Sequence, residues 1–106
     1  MANVIHVNQK NFDEEVIKES KLTIVKFGAA WCGPCKKLDP IIDEIADEND
    51  DIKVTHVDID TDGPIAAEYG ILSVPSTLFF KDGKVMDMII GLVPKAKIIG
   101  VIDGMR

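Results

Sequence analysis

The apolar positions along this chain change period several times, and each change marks a new element. Val4 to Val7 is a short β-branched run. Asn8 or Asn11 then caps a helix through about Glu19, on which Phe12, Val16 and Ile17 recur at helical spacing. Leu22 to Phe27 is a β-rich run that predicts a strand buried on both faces. Lys26 is the one residue that does not belong there. From Cys32 to about Asp47 the period turns helical, with Leu38, Ile41, Ile42 and Ile45 in one stripe and Pro40 removing a backbone donor. Ile52 to Ile59 is another strand. Asp62-Gly63-Pro64 opens a short helix ending near Gly70, with Asp62 as its cap. Leu78 to Phe80, Asp82-Gly83 and Val85 to Ile90 spell a hairpin, because Asp-Gly suits a tight turn of positive φ. A last helix starts near Pro94, with Ile98, Ile99 and Ile102 on its apolar side.

The order is therefore βαβαβαββα. A βαβ half with parallel strands joined to a hairpin implies an α/β fold, a central mixed sheet flanked by helices on both faces. The 106 residues suffice for a single domain, 1–106, that buries a core without staples. A formal net charge of −6 argues against a nucleic-acid partner and against docking on an anionic membrane. No run approaches the roughly 18 apolar residues of a membrane span. The opening stretch, Met1 to Val7, lacks a basic region followed by a long apolar one, so the expected location is cytoplasmic. In that compartment two close cysteines read as redox or metal chemistry rather than as a structural staple.

Those cysteines stand in Trp31-Cys32-Gly33-Pro34-Cys35, where a buried strand gives way to a helix. A helix N-terminus presents unpaired N–H groups and partial positive charge, which favour a thiolate. Cys32, at the first helical position, gains most and is the expected nucleophile, exposed at the helix's positive end. Cys35, one turn along and more shielded, is placed to resolve a mixed disulfide on Cys32. Gly33 lets a partner's backbone approach, Pro34 restricts the turn, and Trp31 offers a flat apolar surface. A lone C-x-x-C also suits half of a zinc site, but such a site needs about four ligands and only His6 and His56 remain as soft candidates. No metal and no cofactor beyond the cysteine pair are expected.

The chain resembles the thioredoxin family over nearly its whole length. The resemblance is carried by Trp31 to Lys36 followed by Pro40, by Asp58-Ile59-Asp60, by Tyr69-Gly70-Ile71 leading to Val74-Pro75, and by Phe80 to Lys84 followed by Gly91. It implies a thioredoxin fold and a protein-disulfide oxidoreductase that reduces disulfides in cytoplasmic proteins. It also implies a cis peptide at Pro75 that leaves the Val74 backbone free to pair with an extended substrate. The implied substrate surface is Trp31, Gly33, Pro34, Ile59, Val74, Pro75, Gly91 and Leu92; Gly91 reads equally well as a plain strand-end glycine. The implied partners are disulfide-containing proteins and a reductase, either an NADPH-linked flavoenzyme or a ferredoxin-linked one, acting on a monomer.

Three positions depart from the family. A buried aspartate that relays the second cysteine's proton is replaced by Lys26, its lysine partner by His56, and a second tryptophan by Gly28. Lys26 has two readings. It snorkels, with its ammonium in water. Alternatively it lies within about 6 Å of the dithiol, where a charge favours the thiolate by roughly 2–3 kcal/mol at an effective dielectric near 20. If neutral, Lys26 or His56 would serve as the base for Cys35. Loss of the tryptophan at Gly28 opens a pocket or is repacked. Two other functions compete: an oxidant or isomerase, disfavoured by Gly33-Pro34, and a binding module indifferent to redox state. A dimer bridged by metal through two C-x-x-C pairs is a further alternative.

Overall fold

A computed structural model describes residues 3–106. Met1 and Ala2, part of the stretch read above for a targeting signal, lie outside the described residues. The strands are β1 (Val4–His6), β2 (Leu22–Gly28), β3 (Ile52–Asp58), β4 (Ser76–Lys81) and β5 (Lys84–Ile90). The α-helices are α1 (Gly33–Glu48), α2 (Gly63–Glu68) and α3 (Lys95–Met105). One sheet runs in the order β1-β3-β2-β4-β5, parallel among β1, β3 and β2 and antiparallel from β2 through β4 to β5.

Strand β2 is central, and all of its residues are buried. Alternation along it sorts the side chains onto two faces. Ile24 packs with Leu38, Ile42 and Ile45 of α1 and Ile98 and Ile102 of α3. Val25 and Phe27 face the other way, with Phe12, Val16, Ile65, Leu78 and Phe80. By the same alternation Lys26 points to the α1 side. Its strand register aligns it with His56 of β3, and His56 in turn with His6 of β1. A polar row thus crosses an otherwise apolar sheet face.

The hairpin has the expected two-residue turn, with φ of 52° at Asp82 and 79° at Gly83. Two expectations are corrected. The N-terminal helix does not run regularly to Glu19: the chain makes a π-helical turn over Asp13–Ile17, closed by the Lys18 amide on the Asp13 carbonyl at 2.8 Å. Its entry is nevertheless capped, because Asn8 Oδ1 accepts from the Lys10 and Asn11 amides while Asn11 Oδ1 accepts from the Asn8 amide. The Asp62 carboxylate does not cap α2. One oxygen accepts from the Gln9 amide at 3.1 Å and the other from the Thr61 hydroxyl at 2.9 Å, which ties the loop after β1 to the start of α2. A long-range tether therefore outcompeted the local cap.

Candidate active site

The end of β2 and the start of α1 bring the two cysteines together as a Cys32–Cys35 disulfide. Cys32 is the cap of α1 rather than its first helical residue, with extended backbone (φ −88°, ψ 111°) and Pro34 in the first turn. That conformation sets its sulfur over the open amides of the helix end. The Cys35 amide donates to Cys32 Sγ at 3.2 Å, so the sulfur does what a capping oxygen usually does. The Lys36 amide donates to the Cys32 carbonyl at 3.2 Å. A negative charge arriving on this sulfur would meet an N–H donor and the positive end of the helix.

The expectation of an exposed Cys32 is corrected. In the disulfide Cys32 is 4% exposed and Cys35 1%. They pack with Ala29, Ile59 and Val74, which help to cover the bond. Cys32 Sγ lies 3.7 Å from the Val74 carbonyl oxygen. The Val74–Pro75 peptide is cis. Gly91 donates its amide to the Pro75 carbonyl at 2.8 Å with a φ of 93°, a conformation that favours glycine, so the strand-end reading of Gly91 has a structural basis.

Around the shielded bond the surface is apolar and open. Trp31 is 68% exposed, its ring held by a 3.0 Å bond from Nε1 to Asp60 Oδ2. Asp60 is fixed in turn by its amide on Asp58 Oδ1, and Ile59 by its amide on the Gly28 carbonyl. Leu92 is partly exposed, and Leu72, in the loop leading to Val74, is almost wholly so. Sequence reasoning missed Leu72 and Asp60. An apolar residue in a loop between Gly70 and Ser73 was the available signal for the first; Asp60 stood within a quoted motif without a role.

On the α1 side of β2 the structure is polar. Lys26 is 1% exposed, and its ammonium makes a direct ion pair with the Asp39 carboxylate of α1. The snorkelling reading is thereby overturned. A lysine stem at the centre of the sheet does not reach water, and the carboxylate reaches in to it instead. His56 stands beside the pair, its ring 5.0 Å from that of His6. Burial, with the Lys26 charge and His6 adding to it, pushes the His56 imidazole down to about 4, which leaves it neutral at pH 7. Gly28 makes room for this arrangement. A Cβ there would stand 2.8 Å from Lys26 Nζ and 3.2 Å from His56 Cε1. Among the described residues no group of three or more His, Cys, Asp or Glu is arranged to hold a metal ion. No helix among them is long and apolar enough to cross a membrane.

The Thioredoxin family model matches residues 3–104. Thioredoxin 1 of Synechococcus elongatus is 40% identical over 104 residues, covering 97% of each chain. The thioredoxin of Pyropia yezoensis is 41% identical over 102 residues, 95% of each chain, and that of Mycoplasmoides gallisepticum 41% over 90 residues, 85% of this chain and 90% of its own. The chain belongs to the thioredoxin family. Thioredoxins are thiol–disulfide oxidoreductases, and the paired cysteines at a helix N-terminus supply the chemistry that this activity needs. Thioredoxins as a family act on disulfide-containing substrates and are served by reductases. In this thioredoxin domain the Lys26 ammonium and the neutral His56 ring both stand against the bare backbone of Gly28, so the three positions pack as one unit.

Proposed function

We propose that Cys32 is the attacking nucleophile, that Cys35 resolves the mixed disulfide, and that the substrates are disulfides of other proteins. The supporting observation is the Cys35 amide aimed at Cys32 Sγ at the helix end, a geometry that favours charge on that sulfur. In the first step Cys32 thiolate attacks a substrate disulfide, one substrate sulfur leaves as a thiolate, and a Cys32–substrate bond forms. Cys35 thiolate then attacks Cys32 Sγ, the second substrate sulfur leaves, and the internal disulfide returns. Two electrons have passed to the substrate. Restoring the dithiol takes two electrons from a reductase, either NADPH-linked through a flavin or ferredoxin-linked.

The substrate surface in this proposal is Trp31, Gly33, Pro34, Ile59, Val74, Pro75, Gly91 and Leu92. It is supported by open space where a Cβ on Gly33 or Gly91 would point, and by the exposure of Trp31 and Leu92. Action as a monomer in a reducing cytoplasm belongs to the same reading. Both cysteines of the chain lie in the exchange site, so no structural disulfide is at risk there. Lys26 and His56 enter as tuning residues. The test is insulin disulfide reduction with dithiothreitol as electron source: the protein should accelerate aggregation of the freed chains, and Cys32→Ser should not. Cys35→Ser should accumulate covalent adducts with substrate proteins that dithiothreitol releases. Acceleration by Cys32→Ser would overturn the assignment of the nucleophile.

A further inference from the structure

The Lys26 charge does not stand alone, and this changes what it does to the cysteines. Asp39 lies one helical turn beyond Cys35 on α1, so the two share a helix face. Ala29, which packs on the disulfide, lines a polar recess together with Lys26, Asp39, His56, Lys36 and Asp58. The ion pair therefore shares a recess with a residue that packs on the disulfide, and its carboxylate shares a helix face with Cys35. Its two halves differ: Lys26 is buried to the tip, while about two-fifths of the Asp39 side chain faces solvent. His56 adds no charge to the recess at neutral pH, and His6, Ile42 and Asp43 close the far side of the pair.

We propose that Asp39 is a positioning residue for the exchange reaction: it holds the Lys26 ammonium and cancels its charge, so that the buried cation does not overstabilise the thiolate. The inference rests on the exchange chemistry assigned above to Cys32 and Cys35. An unopposed cation behind the dithiol favours the reduced, ionised form and makes the protein more oxidising. With Asp39 in place the cysteines meet a dipole rather than a net charge, and the dithiol stays a good electron donor. Glycine at position 28 leaves room for the device, since a Cβ there would stand 2.8 Å from Lys26 Nζ and the ammonium would have to shift to admit it.

The test is redox equilibration of the full chain with glutathione buffers, alongside the pH profile of Cys32 alkylation. Asp39→Asn should shift the equilibrium toward the dithiol by about tenfold, a potential about 30 mV less negative, and move the alkylation profile to lower pH. Lys26→Met should shift the equilibrium the other way by less, because the remaining carboxylate is partly in water. The double variant Lys26→Met/Asp39→Asn should return to within about threefold of the parent, and Asp39→Glu should match it. A purely structural role for Asp39 would move the unfolding midpoint and leave potential and profile in place. If Asp39→Asn does not fold, the double variant and Asp39→Glu carry the comparison with Lys26→Met. An Asp39→Asn equilibrium constant within twofold of the parent, or a double variant that fails to return, overturns the proposal. Those results leave the exchange assignment standing; that assignment fails separately if the parent protein does not equilibrate with glutathione through Cys32 and Cys35.

Discussion

The two sides of the disulfide are built on opposite principles. In front, Trp31 and Leu92 leave apolar surface open to water. Behind, a lysine is sealed at the centre of the sheet and paired with the Asp39 carboxylate. Apolar surface can meet many partners, because the hydrophobic effect is non-directional. A buried charge tolerates no such freedom, since its desolvation is offset only by a well-placed counter-charge. The front can therefore vary its partner, while the back is confined to one geometry.

The largest expected difference between the two sides is in stability, and it is asymmetric within the ion pair itself. Asp39→Ala strips the counter-charge from a fully buried ammonium and should cost about 3 kcal/mol. Lys26→Met leaves a carboxylate that already faces solvent in part, fills the stem's volume, and should cost about 1 kcal/mol or less. Urea unfolding of both variants checks this. Equal losses would mean that the lysine is not desolvated in the way its burial indicates.

A smaller effect follows from His56, which is held neutral by its burial first and by the same cation second. Its folded value of about 4 lies below the ordinary 6.5, so the folded protein resists taking up a proton that the unfolded chain accepts. Above pH 6.5 neither state is protonated and nothing is lost. As pH falls from 6.5 toward 4 the unfolded state gains, and stability drops. Linkage gives roughly 3 kcal/mol for this displacement, nearer 2 kcal/mol once solvent screening of the half-buried ring is discounted. Unfolding midpoints for the parent and His56→Gln, taken from pH 7 to pH 4, should converge as pH falls. A constant gap between them would rule out the shift and its cause.

This contrast also explains which features could be read from the chain. Asp82-Gly83 announced its hairpin and Leu22 to Phe27 its buried strand, because a turn of positive φ and an unbroken apolar run are local properties. Trp31 to Cys35 was legible for the same reason: a strand's end, two cysteines and a helix's start lie in consecutive residues. Three of the misreadings involve a distant partner, whereas the π-helical turn over Asp13–Ile17 is a local irregularity. The stem of Lys26 suggested an escape to water, and only the packing of α1 on β2 brings Asp39 to it. Asp62 looked like a cap until the Gln9 amide, remote in sequence, claimed its carboxylate. Cys32 was expected at the surface, and Ile59 and Val74, from two later segments, cover it. Asp39 was within reach of sequence reasoning, being a carboxylate one turn from Cys35, but nothing local showed that a cation would stand opposite.

The front side supplies the smallest of these effects and the sharpest separation of fold from function. Trp31 is mostly in water and makes one side-chain hydrogen bond, to Asp60, so Trp31→Ala should change stability by no more than about 0.5 kcal/mol. A flat apolar surface beside the nucleophile matters only when the substrate is large enough to cover it. Reduction of a protein disulfide should then slow by about fivefold, equivalent to about 1 kcal/mol of lost contact, through kcat/KM. Reduction of a small soluble disulfide, which touches only the sulfurs, should proceed at the parent rate. Equal slowing with both substrates would show that Trp31 acts on the cysteines themselves, and the division between an adaptable front and a fixed back would no longer hold.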